Sequence, residues 1–390
     1  MSQAYDWIAP ELNRLERVGW YRTPQISQSP PGPVIQFNGQ SLVNFGSNDY
    51  LGLAGHPKLI EAAVNATQAW GVGSTGSRLL SGHRQLHQDL EIALAQFKQT
   101  EAALVFSSGY LANLGVVAAL VSSQDLVIAD AYNHASLKSG AKLSGAKVYE
   151  FAHGNLEQAQ ELLSQHRPHY RRCLILSDSV FSMDGDLCDL PKLLGLAAGF
   201  GAMVLIDEAH ATGVLGPTGR GSVEHFACQE QPLIQVGTLS KALGSLGGYI
   251  VGSQRLVDYL RNRARSWIYT TGLSPADTAA ALAALHLIQA EPEHHHKLWQ
   301  NRNLLAQLLA ELPPSFPLKL LPSESAILCL QGETIPAVQA MSQILHQAGY
   351  WVPAIRPPTV PRSRLRLSLM ASHRPAQIIG LVEALQAWTV

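Results

Sequence analysis

Polar and apolar positions along this chain follow two different periods. Short, mostly apolar runs recur at Ala103–Ser107, Leu126–Ala129, Lys147–Phe151, Cys173–Leu176, Met203–Ile206, Ile234–Val236 and Gly248–Val251. Several are apolar at every position, the pattern expected of strands covered on both faces. Between them lie stretches of helical spacing, such as Leu156–Gln165 and Leu190–Gly199, and Pro57 opens another over Pro57–Trp70, proline being suited to a first turn. Strands alternating with helices predict an α/β fold, a large domain on a mostly parallel, doubly wound sheet of seven strands. After about residue 285 the character changes. The runs Ala326–Leu330, Trp351–Ile355 and Leu365–Leu369 alternate with helices at Ile335–Ala348 and Pro375–Trp388. The alternating Arg364–Leu369 predicts a half-exposed antiparallel strand. Three segments are therefore expected: 1–50, an N-terminal helix and arm with a Pro-rich stretch (Ser27–Pro33) and a strand near Ser41–Phe45; 51–285, a large domain; and 286–390, a small C-terminal α+β domain.

Composition narrows the function classes. The 390 residues are 46% hydrophobic and 15% charged, which excludes a mainly disordered chain. Lys plus Arg is 28 and Asp plus Glu is 29, a net charge of 28 − 29 = −1, so nothing in the overall charge favours nucleic acid or an anionic membrane as a partner. The clean apolar stretches, such as Gly115–Val121, are too short to span a bilayer. The first twenty residues carry charges throughout and lack an apolar core, which reads as no signal peptide. Cys173, Cys188, Cys228 and Cys329 form no C-x-x-C pair. Free thiols in a reducing setting are expected, and with them a cytoplasmic location.

Two apparent motifs lead nowhere. Gly71–Gly76 fits G-x-G-x-x-G, but a dinucleotide site needs a strand before it and a helix after it, and here a helix precedes it and turn-like residues follow. A loop that lets backbone approach a ligand or a partner subunit is the better reading. His294–His296 are consecutive on a predicted helix, so their side chains diverge, and no metal is expected.

Two segments carry the chemistry. In Ala202–Gly213 an apolar strand ends at Asp207, with His210 three residues on. In an open α/β sheet ligands bind beyond the carboxyl ends of strands, where a carboxylate could meet a cationic ring nitrogen; a helix N-cap is the plainer alternative. In Leu233–Gly252, Lys241 follows an apolar strand, with Thr238 and Ser240 before it and Gly244, Gly247 and Gly248 after it. The other lysines, such as Lys98, Lys142 and Lys297, stand in polar, helix-like surroundings. A lysine in such a tight setting can lose solvent and become nucleophilic, although an exposed lysine opening a helix is the bland alternative. A Schiff-base lysine with an acid partner describes pyridoxal 5'-phosphate better than any other cofactor. Its phosphate needs donors, and Ser107–Asn113 supplies a strand, a Ser-Ser-Gly-Tyr turn and a helix N-terminus; for Gly109 an ordinary turn remains the alternative. His134, just past the strand Leu126–Ala129, could stack on a flat ring and move protons, or could be structural.

At this point five motifs, in order, resemble the α-oxoamine synthases, pyridoxal-phosphate enzymes of fold type I. They are Ser47–Leu53, Asn133–Ser136, Val180–Asp186, Asp207–Gly213 and Thr238–Lys241, and the likeness runs from about residue 20 to the C-terminus. The resemblance implies that Lys241 anchors the cofactor and later acts as the proton-transfer base. It implies that Asp207 pairs with the ring nitrogen, that His210 and Ser182 bond the ring's phenolic oxygen, and that His134 stacks on the ring and assists catalysis. Gly109, Tyr110 and Thr238 would hold the phosphate, Thr270 and Thr271 would reach it across a homodimer interface, and Arg366 would take the amino-acid carboxylate. Arg22, Asn48 and Thr359 match positions that touch the substrates. Ala354–Pro361 resembles the branch of the family that condenses L-alanine with a pimeloyl thioester, carried by coenzyme A or an acyl carrier protein. Thr75 stands where a glycine is usual, and Ala242–Gly244 replaces Gly-Phe-Gly after the lysine.

Overall fold

In the computed structural model residues 3–389 are described. Helix α1 (Ile8–Arg17) lies exposed. Strands β1 (Val34–Phe37) and β2 (Gln40–Asn44) form a hairpin whose two turn residues, Asn38 and Gly39, both take positive φ, as the tight primed turn of a two-residue hairpin requires. Helices α2 (Pro57–Trp70) and α3 (Gln85–Phe97) lead into the large sheet. That sheet alternates β3 (Ala102–Phe106), α4 (Gly109–Leu120), β4 (Leu126–Asp130), α5 (Ala135–Ser144), β5 (Lys147–Phe151), α6 (Leu156–His166), β6 (Cys173–Asp178), α7 (Leu190–Phe200) and β7 (Met203–Asp207). After the short α8 (Ser222–His225), β8 (Ile234–Thr238) and β9 (Gly248–Gly252) complete it.

The spatial order is β3-β9-β8-β7-β6-β4-β5. Only β9 runs against its neighbours, so the sheet is the mostly parallel, seven-stranded, doubly wound one expected. Six of the seven strands are buried at nearly every position, as sheets covered by helices on both faces must be; β5 at the edge is the exception. The carboxyl ends of β4, β6, β7 and β8 bring Asp130, Asp178, Asp207 and Thr238 to one edge, with Asp178 and Asp207 directly paired in register.

Helices α9 (Gln254–Arg263), α10 (Arg265–Ile268), α11 (Pro275–Ala290) and α12 (Glu293–Ala310) follow. The remainder comprises β10 (Leu318–Leu320), β11 (Ile327–Gly332), α13 (Ile335–Gln347), β12 (Tyr350–Trp351), β13 (Ala354–Ile355), β14 (Arg364–Ser368) and α14 (Pro375–Gln386). Four of its strands make a sheet of order β10-β11-β14-β13, antiparallel throughout.

The strand expected near Ser41–Phe45 is β2, which pairs in parallel with β12, and Ile35, Phe37 and Leu42 bury against Trp351. One expectation changes here. Strand β14 is not half-exposed but buried at all five positions. Its alternating arginines face inward, Arg364 onto the Asp184 carboxylate and Arg366 onto the Ser182 carbonyl, so each buried guanidinium has partners. Among the described residues no helix is long and apolar enough to cross a membrane, and all four cysteines are free and buried.

Candidate active site

The sheet edge that gathers these strand ends also gathers the chemistry. Lys241 follows β8 in a turn closed by Gly244, whose φ of 62° and close approach to the Leu53–Ala54 backbone leave no room for a side chain. The lysine amine lies 2.9 Å from His210 Nε2, and His210 Nδ1 lies 2.6 Å from the Tyr50 hydroxyl. Burial lowers the Lys241 amine to about 8, against the pull of Asp207 and Asp178. Burial also keeps His210 neutral, well below the usual histidine range, and raises the Tyr50 phenol to about 12. The Tyr50 hydroxyl, which also lies 3.3 Å from Asn48 Oδ1, keeps its proton, and the neutral His210 imidazole links it to the lysine amine.

Asp207 ends β7. Its carboxylate accepts the Ala209 N–H at 2.8 Å and the Asn113 amide at 2.6 Å. Asn113 also donates to Ser136 at 2.9 Å, and the Ser136 hydroxyl lies 2.7 Å from His134 Nδ1. The chain Asp207–Asn113–Ser136–His134 thus joins three elements. His134 caps α5, its backbone N–H held by Asp178 at 2.7 Å, and burial lowers its imidazole pKa. Asp178 is raised well above the carboxylate range by burial and by the neighbouring Asp207.

The residues at the start of α4 suit a phosphate. Gly109 opens the helix against Thr238, where an added Cβ would stand 3.3 Å from the threonine's own. The buried Ser107 hydroxyl has no partner within the protein, which is the mark of a group waiting for a ligand. Tyr110 is exposed and donates its hydroxyl to Ser139 at 3.1 Å. Together with the free N–H groups of a twelve-residue helix, these groups fit the phosphate of pyridoxal 5'-phosphate, and the Lys241–Asp207 pair fits its ring.

Arg366 lies on the far side of the cluster. Its Nε donates to the Ser182 carbonyl at 2.6 Å, Nη1 to Ser368 Oγ at 2.7 Å and Nη2 to Asn48 Oδ1 at 3.0 Å. Each nitrogen spends one donor on these partners, and the further Nη hydrogens are the groups that could take a carboxylate. The structure thus brings Lys241, His210, Asp207, His134, Asn48, Ser182 and Arg366 together, Ser182 through its carbonyl. Arg22 and Thr359 stand apart from this hydrogen-bonded cluster, lining a cavity of about 170 Å³ with Trp20 and Ala354–Pro358. Thr270 and Thr271 lie beyond it too, beside the loop that follows α2, where Thr271 pairs with Ser77. In that loop Thr75 adopts φ 62°, the left-handed conformation that favours the glycine usual there.

Sequence reasoning missed Asn113, Ser136 and Asp178, and it placed Lys98 wrongly. The Lys98 side chain is 1% exposed, held by Glu208, Thr212 and the Arg220 carbonyl behind the Asp207–Gly213 segment. The available signal was Glu208 itself, an acid next to Asp207 with no exposed role.

The family model for aminotransferases of class I and II matches residues 40–385. A curated relative from Trichormus variabilis, named "Putative 8-amino-7-oxononanoate synthase", is 60% identical over 385 residues, covering 99% of each chain. Among solved structures, a serine palmitoyltransferase variant from S. paucimobilis with a bound PLP–myriocin compound superposes with a TM-score of 0.91 at 32% identity, over 98% of this chain and 97% of that one. An 8-amino-7-oxononanoate synthase from Francisella tularensis gives 0.77 at 30% identity, over 89% of this chain and 98% of that one.

Proposed function

This chain belongs to the aminotransferase class I and II family, as a pyridoxal-phosphate-dependent α-oxoamine synthase, and from that premise we propose that it is an 8-amino-7-oxononanoate synthase. It condenses L-alanine with a pimeloyl thioester, releasing carbon dioxide and the free thiol, a reaction of biotin synthesis, and it works as a cytoplasmic homodimer. The observation that supports the reading is the buried Lys241 amine, its pKa lowered by burial, on the same sheet edge as the fixed Asp207 carboxylate, with the Arg366 guanidinium held nearby by Ser182 and Asn48. The choice of alanine and pimeloyl substrates follows the relatives' name.

Pyridoxal phosphate, when bound at Lys241, supplies a sink for the electrons left on the amino acid's α-carbon. This chain's residues do the rest. Asp207, held rigid by Asn113 and the Ala209 N–H, keeps a proton on the ring nitrogen. His134, its Nδ1 held by Ser136, would stack on the ring and could assist proton transfer at the acyl carbonyl. His210 lies 2.9 Å from the lysine amine, whose pKa burial lowers, so that a released Lys241 would serve as the base for the α-proton. Arg366 grips the carboxylate until it leaves as carbon dioxide. Ser107, Gly109 and Thr238 would hold the phosphate end, and Thr270 and Thr271 would reach toward that of the partner protomer.

The test is thiol release from pimeloyl-CoA by the loaded protein with L-alanine, glycine and L-serine in parallel. Strong preference for L-alanine is expected. The high overlap with serine palmitoyltransferase supports a second reading, another amino acid with another acyl thioester; preference for glycine or serine would move the assignment there.

A further inference from the structure

His153, on the loop after β5, lies outside the Lys241 cluster but between two segments that build it. Its Nδ1 stands 3.0 Å from Asp130 Oδ1 and its Nε2 stands 2.8 Å from Asp186 Oδ2. Carboxylates only accept, so both ring nitrogens carry hydrogen and the ring is an imidazolium. Tyr132 stacks flat on it at 4.3 Å, and Phe181 meets it edge-on at 4.4 Å. Burial opposes the charge, but the bonds to Asp130 and Asp186 outweigh it and lift the imidazole to about 9. The other charged groups that face it are Asp184, which shares the cluster with Asp186, and Arg364, which neutralises Asp184.

Each partner leads to the active site. Asp130 ends β4, and its carboxylate also accepts the N–H groups of Tyr132 at 2.7 Å and Gly154 at 2.9 Å, shaping the turn that delivers His134. Asp186 belongs to the loop 181–187, closed by its own carbonyl on the Phe181 N–H at 3.0 Å and by the Val180–Leu187 bridge. That loop presents the Ser182 carbonyl to Arg366 Nε at 2.6 Å and the Met183 carbonyl to Arg364 at 3.3 Å.

We propose that His153 is a positioning residue for the amino-acid carboxylate. As an imidazolium it clamps the loop 181–187 to the end of β4, and the loop's Ser182 carbonyl aims the Arg366 guanidinium. The proposal rests on the reading above only in taking an amino acid as the ligand of Arg366.

The test uses His153→Gln in the full, cofactor-loaded chain. Dissociation constants for L-alanine, glycine and L-serine are read from the absorption change of the bound cofactor, with cofactor affinity and the melting temperature of the cofactor-free protein measured beside them. All three constants should rise by a common factor of about tenfold, because the carboxylate is common to them. Cofactor affinity should stay within about twofold, since Arg366 does not hold it. The ratio of variant to wild type should shrink toward one as pH rises past about 9, where wild type loses the same charge. Asp186→Asn should give a rise of similar size, and adding it to His153→Gln should change little further; it also decides the matter if His153→Gln does not fold. Unchanged constants, a pH-independent ratio, or an equal loss of cofactor affinity would overturn the clamp. If wild type shows no preference for L-alanine, the proposed substrate fails, while the common factor across the three amino acids still judges His153.

Discussion

Asn113 shows how a neutral side chain can set the electrostatics of a charged one. Its amide gives one donor to Asp207 and one to Ser136, while its own Oδ1 is buried without a partner. An asparagine tolerated in that state, in an otherwise apolar helix, is held there by what it orients. Asn113→Leu keeps the volume and removes both donors. We expect kcat/KM for thiol release to fall about tenfold or more, with a stability loss on the order of 1–3 kcal/mol. Unchanged turnover in a folded Asn113→Leu would remove Asn113 from the support of Asp207. Lys241→Ala should abolish turnover and the bound-cofactor absorption together. Lys241 and Asp207 were legible in the sequence because each follows an apolar strand, and strand ends in α/β sheets face ligands. Asn113 was not, because its partner lies far along the chain and nothing in helical spacing marks a contact made across a sheet.

Among the elements, the N-terminal hairpin depends on a histidine near the other end of the chain. His373, just before α14, accepts the Met370 N–H at Nδ1 and donates from Nε2 to the Asn44 carbonyl at 2.9 Å, and it stacks on Phe45 at 4.4 Å. Burial lowers it to about 4, so the folded protein holds it uncharged. The unfolded chain binds that proton near pH 6.5, so the contribution is complete above that pH and is lost as pH falls toward 4. The span of about 2.5 pH units corresponds to roughly 3 kcal/mol at most. His373→Gln should flatten the fall of melting temperature between pH 6.5 and 4 relative to wild type; parallel curves would show that the proton is taken up elsewhere. Helices and central strands were readable from their periods. The pairing of β2 with β12 was not, since a parallel bridge between distant segments has no local pattern. The alternation of β14 misled because period two says which side chains share a face, and buried arginines with carboxylate and carbonyl partners look the same in sequence as exposed ones.

At the scale of the whole molecule, the Gly71–Gly82 loop and the segment 269–272 lie side by side, joined by the Gly272 N–H to the Gly76 carbonyl at 3.0 Å and by the Ser77–Thr271 bridge. They carry Val72 at 78%, Leu80 at 86% and Tyr269 at 76% exposure, with Leu79 beside them. Large apolar side chains grouped on exposed loops are costly unless covered. A second copy of the chain would cover them, and the same contact would bring Thr270 and Thr271 to the phosphate end of the partner's site. On the proposed reading assembly and activity would be one property: a protomer alone would keep Lys241 and Asp207 but lack the partner's hydroxyls. Light scattering should give twice the chain mass at working concentration. Leu80→Glu puts a charge among these exposed apolar side chains and touches neither Lys241 nor Arg366. It should shift the protein toward monomer and lower cofactor affinity in step, with both restored at high protein concentration by mass action. A wild-type monomer with full activity would separate the two and leave the exposed loops without a partner; a dimeric, fully active Leu80→Glu would place the subunit contact on another face.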